Sequence, residues 1–377
     1  MGYSIPLLRY IFNRRFAGAP IAVYLLITDR CNQRCLMCTV WQGAQTVPEH
    51  ELLTTVEIKR LIDEMAQAGI PLLLITGGEP LLRRDMPEIL YYAAKSLPYV
   101  RLQTNATLID EPLAEALVES EIDEIWVSLD GVGETYNVIR GKPESFAEMA
   151  RGIEYLNAAK QKSSRVTPGL MFNCVVSREN GTQVIEVCRW AVEHGATELL
   201  FHRVTDVTHA TIEQAQRQIG APSIYSRQFV SSGKLVDVPL RIGGAVIRQL
   251  EAMCRRAKVR LFIDPLLRSG QSERSLCRCL FLWLDAVILP DGSVVPCQML
   301  DRVRIGNIRK KGLVEIWNSG EMQRLRQEGK KLDLCRFCCN PRRTLFDQMC
   351  NPANFKRVFL TRRQRTLLAG KYVKGSK

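Results

Sequence analysis

Cys31, Cys35 and Cys38 stand in the run Thr-Asp-Arg-Cys-Asn-Gln-Arg-Cys-Leu-Met-Cys, and their number matters as much as their spacing. A four-iron four-sulfur cluster is normally held by one cysteine thiolate per iron, so three cysteines on one loop leave one iron open to a small molecule. Zinc could bind such a loop, but zinc sites favour paired C-x2-C knuckles with a fourth ligand. A second cysteine-rich tract follows much later. Cys279 and Cys297 flank Asp291-Gly292, a strong turn dipeptide, so a hairpin there would bring the two thiols together. Cys335-Arg-Phe-Cys338-Cys339 completes the tract, with Cys277 and Cys350 nearby.

A reactive loop needs a scaffold, and the apolar pattern supplies one. Short β-branched runs at Ile21 to Ile27, Leu72 to Thr76, Val100 to Thr104, Glu124 to Leu129, Gly169 to Val176 and Leu199 to Val204 predict strands. Between them, Thr55 to Ala68, Pro112 to Glu119, Ser145 to Ala159 and Gln183 to Glu193 carry apolar residues at helical spacing. Gly69 and Gly195 sit where C-terminal caps of the first and last of these helices belong. The alternation predicts an α/β fold of βαβ units around a parallel sheet, and six repeats suit a partial or full barrel. The cysteine loop then falls just after the first strand, on the carboxyl side of the sheet where such barrels build active sites. After the second strand comes Thr76-Gly77-Gly78-Glu79-Pro80, two glycines that allow close backbone approach, followed by a carboxylate.

The cysteine loop and the Gly-Gly-Glu strand end together resemble the radical S-adenosylmethionine (SAM) superfamily, over roughly residues 21 to 210. The resemblance implies a partial (β/α)6 TIM-like barrel and a SAM-binding 4Fe-4S cluster held by Cys31, Cys35 and Cys38. It implies that SAM chelates the unique iron, that Gly77, Gly78 and Glu79 line its methionine moiety, and that reductive cleavage yields a 5'-deoxyadenosyl radical. Ser128 and Asp130, in Val-Ser-Leu-Asp-Gly, resemble a strand tip that meets the SAM ribose. Arg140 resembles an arginine placed near the SAM carboxylate, where a guanidinium fork suits two oxygens. Asn105 fits the third strand end, although Ala106 replaces a frequent glycine, and Met37 stands where an aromatic residue is common. Ser128, Asp130 and Arg140 could equally be strand-end caps.

Residues 259 to 350, with Ile305-Gly306-Asn307-Ile308, a helix around Val314 to Gln327 and Ile316-Trp317, resemble the small cysteine-rich SPASM domain, a carrier of auxiliary clusters. Thr344 stands where the long form of that motif continues with cysteine, so the resemblance implies one auxiliary 4Fe-4S cluster bound by Cys279, Cys297, Cys335 and Cys338. Cys339 could replace Cys338, Cys277 and Cys350 are spare or substitute ligands, and a structural zinc suits the same four thiolates. The reading divides the chain into a basic amphipathic extension (1 to 20), the barrel (21 to 258), the SPASM-type module (259 to 350) and a basic tail (351 to 377).

Composition narrows the partners. The 377 residues include 13 cysteines and no apolar block of a secretory leader or membrane span, so the cysteines read as metal ligands or buried thiols of a cytoplasmic protein. Cys174, Cys188 and Cys254, each inside an apolar stretch, read as small buried hydrophobes. The net charge of +13 is concentrated in residues 302 to 377, which hold 20 Lys and Arg against 5 Asp and Glu. That excess would suit docking of an acidic flavodoxin or ferredoxin as electron donor. Leu7, Leu8, Ile11, Phe12 and Phe16 with Arg9, Arg14 and Arg15 form a short amphipathic pattern that could pack on the barrel or touch a membrane surface. About twenty residues precede the first strand, fewer than a leader-recognition domain needs. The substrate therefore reads as a small biosynthetic intermediate such as a tetrapyrrole, sugar or lipid precursor, with maturation or epimerisation of a ribosomal peptide as the alternative and RNA modification as a further one. Net oxidation is the expected reaction class. A stable nucleic-acid partner is not expected, since no aromatic-interleaved RNA module accompanies the basic tail.

Overall fold

The computed structural model describes residues 18–38, 47–203, 241–264, 267–268, 281–298 and 303–328. Its centre is one sheet whose first six strands follow each other in chain order and in parallel: β1 (Ala22–Leu26), β2 (Leu72–Thr76), β3 (Tyr99–Thr104), β4 (Glu124–Ser128), β5 (Gly169–Val176) and β6 (Ala196–Arg203). β7 (Arg260–Ile263) adds to β6 in parallel. At the opposite edge β8 (Asp285–Ile288) adds to β1 in parallel, followed by antiparallel β9 (Ser293–Val295) and β10 (Gly306–Asn307). Helices α1 (Thr55–Gln67), α2 (Met86–Ser96), α3 (Glu111–Glu119), α4 (Glu134–Arg140), α5 (Ser145–Lys162), α6 (Val184–Glu193) and α7 (Gly244–Arg256) connect the strands. Short α8 (Phe281–Leu284), α9 (Leu313–Trp317) and α10 (Gly320–Glu328) follow. This is the expected α/β architecture.

Each strand presents two different faces because side chains alternate. Val23 and Leu25 of β1 and Ile27 just after it join Leu73, Ile75, Val100, Leu102, Ile125, Val127, Leu170 and Phe172 in the main core beneath the helices. Ala22, Tyr24, Leu72, Leu74 and Tyr99 pack together on the other face, inside the curve of the sheet. The amino ends of the strands on that face are closed by charge: Arg101 Nε donates to Glu124 Oε2 at 2.8 Å, and Arg260 reaches Glu124 at 3.6 Å and also pairs with Glu198. Burial alone would raise the Glu124 pKa, but Arg101 and its neighbours hold it below the ordinary carboxylate range. β6 begins at Ala196, earlier than the apolar run predicts, because Glu198 is an interior residue paired with Arg260 rather than a loop residue.

Local chemistry explains the element ends. Thr54 caps α1 through a capping box with Glu57. Asp110 caps α3 by accepting from the Leu113 N–H at 2.9 Å. Gly69 and Gly195 adopt φ of 69° and 82° after α1 and α6, as their cap positions require. The hairpin around Asp291-Gly292 joins β8 to β9, with Gly292 at φ 81°. The single helix expected around Val314 to Gln327 is instead two, α9 and α10. They part at Asn318, whose side chain donates to the Gly18 and Val314 carbonyls at 2.7 and 2.9 Å. Among the described residues no helix is long and apolar enough to cross a membrane.

Candidate SAM and cluster site

The cysteine loop leaves β1 and is stitched on every side to neighbouring strand and helix ends. Gly78 N–H donates to the Thr28 carbonyl at 2.7 Å, and Glu79 N–H to the Arg30 carbonyl at 2.8 Å. This approach is why both glycines are needed. A Cβ on Gly77, which has φ 130°, would lie 2.3 Å from the Thr28 carbonyl oxygen, and one on Gly78 would lie 2.0 Å from that of Arg30. From the other side, Arg34 and Leu36 donate their N–H groups to the Arg140 and Ile139 carbonyls at 3.0 and 2.8 Å. Gly141, at φ 61°, permits this contact, since a Cβ there would meet the Arg34 carbonyl oxygen at 2.4 Å. Gln33 donates to the Ser145 hydroxyl at 2.5 Å, anchoring the loop to the first turn of α5.

Glu79 is buried at 1% exposure beside this loop. One carboxylate oxygen accepts from the Thr104 hydroxyl at 2.7 Å and the Leu81 N–H at 3.0 Å, and the other accepts from the Asn105 N–H at 2.7 Å. Burial raises its pKa, and these three donors oppose that rise. The side chain thus rivets the end of β2 to the end of β3, directly behind the Gly-Gly pair. Asn105 extends the rivet by donating to Asn32 Oδ1 at 2.8 Å, next to Cys31. Ala106 adopts φ 62°, which explains why glycine suits that position in similar sequences.

Asp130 and Arg140 meet as a buried pair. Arg140 closes α4 and donates through Nη2 to Asp130 Oδ2 at 2.5 Å, while its Nη1 lies 3.4 Å from Cys35 Sγ. Its guanidinium also stands 4.9 Å from the Tyr136 ring centre. The Val175 N–H donates to Asp130 Oδ1 at 2.6 Å, fixing the carboxylate against β5. Burial would lower the Arg140 pKa, and Asp130 more than compensates, so the cation is secure. Arg140 Nε is buried and makes no hydrogen bond. Ser128 ends β4 opposite Asn173 of β5, and its carbonyl accepts from the Tyr136 hydroxyl at 3.2 Å.

The sequence reading missed several members of this constellation. Asn173 Oδ1 and His202 Nδ1 are buried without hydrogen-bond partners, on the interior faces of β5 and β6. Burial lowers the His202 pKa, keeping the imidazole neutral near pH 7. The signal was present: Asn173 interrupts the apolar run Gly-Leu-Met-Phe-Asn-Cys-Val-Val at an inward-facing position. Gln33, Asn32 and Tyr136 were missed because their roles depend on contacts between distant segments.

The donor set fits an open iron-sulfur cluster with an amino-acid-like ligand. Cys31 and Cys38 are partly exposed, Cys35 is buried, and none is in a disulfide. Among the described residues no three His, Cys, Asp or Glu side chains converge on a single ion; a cube instead takes one thiolate at each of separate irons. The unused Arg140 Nε–H lies beside this loop and suits a carboxylate. Cys297 follows β9 and, like Tyr24 and Leu26, packs against the buried cluster of Phe281, Val287, Leu289 and Val295. Cys279, Cys335 and Cys338, like Cys277, Cys339 and Cys350, lie outside the described residues, as do the amino-terminal extension to residue 17 and the basic tail.

Residues 25–191 match the radical SAM superfamily model, and residues 277–340 match the SPASM iron-sulfur cluster-binding domain. The chain is 30% identical to an AdoMet-dependent heme synthase of Methanosarcina barkeri over 85% of this chain and 89% of that protein. It is 26% identical to the mycofactocin maturase MftC of Mycolicibacterium smegmatis over 86% and 76% of the two chains. Among solved structures, Streptococcus suis SuiB bound to S-adenosylmethionine superposes with TM-score 0.61 at 15% identity, covering 88% of this chain and 75% of SuiB. anSMEcpe with bound AdoMet gives 0.58 at 19%, covering 93% and 100%. These likenesses show the family: the chain belongs to the radical SAM superfamily and is an enzyme with a SAM-binding 4Fe-4S cluster and a SPASM domain for auxiliary iron-sulfur chemistry.

Proposed function

We propose that this enzyme abstracts hydrogen from a small biosynthetic intermediate, of which a cyclic tetrapyrrole is the favoured class, in a net two-electron oxidation. In this reading Cys31, Cys35 and Cys38 hold the open cluster, and one auxiliary 4Fe-4S cluster sits on Cys279, Cys297, Cys335 and Cys338. When bound, the open cluster supplies the electron that cleaves SAM into methionine and a 5'-deoxyadenosyl radical. The chain's own part is positioning. The backbone of Gly77 and Gly78, with Glu79 as the rivet behind it, faces the methionyl amino group. Arg140 Nε–H would hold the methionyl carboxylate, while Asp130 keeps that guanidinium charged and oriented. Asn105 and Ser128 complete the polar rim at the ends of β3 and β4.

The observation carrying this reading is the cysteine loop laced to the Gly-Gly-Glu strand end on one side and to Arg140 on the other. The tetrapyrrole class is supported by relatives named as heme synthases and by an Fe-coproporphyrin III synthase of Methanosarcina barkeri, 38% identical over 36% of this chain. A peptide substrate is the second reading, supported by relatives named PqqA peptide cyclase, 25% identical over 85% of this chain. Reconstituted enzyme given SAM and a strong reductant without oxygen is expected to form 5'-deoxyadenosine faster with iron coproporphyrin III than with no addition. Stimulation only by peptides would move the substrate to the second reading, and no 5'-deoxyadenosine under any condition would contradict the radical chemistry. We further propose a cytoplasmic location and a flavodoxin or ferredoxin donor that docks on the basic carboxyl-terminal region, supported by the charge excess of residues 302 to 377.

A further inference from the structure

Cys188 and Cys254 belong to none of the cofactor-binding motifs. Cys188 is on α6, which joins β5 to β6, and Cys254 is on α7, which leads into β7, so the pair stands on the two helices flanking β6 in the chain. The residues are 66 apart in sequence, yet their sulfurs are 3.5 Å apart. Both are buried, at 0% and 1% exposure, in a wall that includes Val184, Val187 and Ala191 from α6 and Ile247 and Leu250 from α7. Among the described residues no third His, Cys, Asp or Glu joins them to make a metal site. Two isolated thiols in van der Waals contact have one economical chemistry, which is closure to a disulfide.

We propose that Cys188 and Cys254 are a redox-sensitive dithiol that a small peroxide closes, reversibly, into a disulfide clamping α6 to α7. The sulfurs are within hydrogen-bond distance of each other; with the Cys188 thiol as donor, the bond lowers the Cys254 pKa and favours its sulfur as the nucleophile. The Cys254 thiolate attacks one oxygen of hydrogen peroxide, the O–O bond breaks, and the departing hydroxide takes a proton to leave as water. The Cys188 sulfur then displaces the hydroxyl of the resulting sulfenic acid, losing its own proton as a second water departs. In sum, two thiols and one peroxide give one disulfide and two waters. The sulfurs need to close from 3.5 Å to about 2.05 Å, a shift within reach of small χ1 rotations on adjacent helices. A thiol–disulfide pool reopens the bond, so the clamp is expected to stay reduced in a reducing compartment. The loop it closes is long, so the oxidised form restrains the unfolded chain and resists heat better.

The test uses the full-length, cluster-loaded enzyme. It is exposed without oxygen to a few equivalents of hydrogen peroxide, then alkylated in denaturant and mapped by peptide mass spectrometry with and without dithiothreitol. The expected result is a Cys188–Cys254 cross-linked peptide, two hydrogens lighter than the pair of thiols, that dithiothreitol dissolves. Cys188→Ser and Cys254→Ser variants are expected to retain the wild-type iron content and to lose both the cross-link and the peroxide-dependent rise in melting temperature. Recovery of both cysteines as separate alkylated thiols, their irreversible oxidation, or cross-links to other cysteines in their place would overturn the proposal. The mapping on wild-type enzyme decides this even if a variant folds poorly.

Discussion

At the scale of residues, Arg140 concentrates the argument because it serves the cluster loop, Asp130 and a vacant buried N–H at once. Arg140→Lys keeps a cation but loses the planar fork, and Lys carries its donors on one atom. SAM affinity, followed by equilibrium dialysis, is expected to fall at least about tenfold while iron content stays near wild type. Arg140→Gln leaves Asp130 as a buried, unpaired carboxylate and is expected to cost about 3 to 5 kcal/mol in denaturant unfolding. Unchanged stability in that variant would show that Asp130 does not depend on the pair. Glu79→Gln sets an amide N–H2 among three donors that a carboxylate satisfies. It is expected to cost about 1 to 3 kcal/mol, although the chain loses no volume. The sequence identified Arg140, Asp130 and Glu79 through their motifs. It did not reveal that Glu79 accepts from the Thr104 hydroxyl and the Asn105 N–H, because these come from another strand end.

Glycines separate element-scale effects cleanly. Gly78→Ala forces a Cβ to 2.0 Å from the Arg30 carbonyl oxygen, so the cysteine loop must move away from β2. Gly69→Ala suffers only its left-handed φ of 69°, with nothing within 4 Å of the new Cβ. Iron incorporation is expected to collapse in the first and survive in the second, with the second costing about 1 kcal/mol of stability. Equal iron content in both would show that the strand end and loop are not mechanically joined. Arg309 makes a similar junction between the later segment and α1. It donates to Glu57 at 2.6 and 3.0 Å and to the Leu52 and Glu51 carbonyls at 3.0 and 2.9 Å. The Arg309 guanidinium hydrogen-bonded to Glu57 lowers that carboxyl to about 2. A depressed carboxylate contributes fully above its unfolded pKa, and that contribution fades as pH falls toward the folded value. The melting temperature of wild type is therefore expected to drop more steeply from pH 5 to pH 3 than that of Arg309→Ala, whose stability at neutral pH is lower by about 1 to 2 kcal/mol. Parallel pH curves would sink this assignment.

At the scale of the molecule, β1 to β5 were legible as β-branched runs and α1, α3, α5 and α6 as apolar stripes, whereas α2, which buries Met86, Ile89 and Leu90, and α7, which buries Ile247, Leu250 and Cys254, were not anticipated. β1 to β5 begin and end within a residue or two of their sequence assignments. Two other departures arise from contacts between distant segments. β6 starts early because Glu198 is claimed by Arg260, and the last helix breaks because Asn318 is claimed by Gly18. Asn173 shows in the sequence as a polar break in the β5 run, but its neighbourhood with His202 emerges only once β5 and β6 are laid side by side. The charge asymmetry is a whole-molecule property with its own consequence. Electron transfer from a reduced flavodoxin is expected to slow steeply as ionic strength rises, and a salt-independent rate in stopped-flow reduction would remove the basic carboxyl-terminal region from donor docking.

The central claim is that the loop of Cys31, Cys35 and Cys38 seats the cluster that meets SAM while a separate set of cysteines holds another. Anaerobic reconstitution followed by iron counting in wild type and in a Cys31→Ala, Cys35→Ala, Cys38→Ala variant addresses it most directly. About eight irons are expected in the wild type and about four in the variant, with 5'-deoxyadenosine formation abolished in the variant. About four irons in the wild type, or SAM cleavage that survives the loss of the three cysteines, would contradict the account.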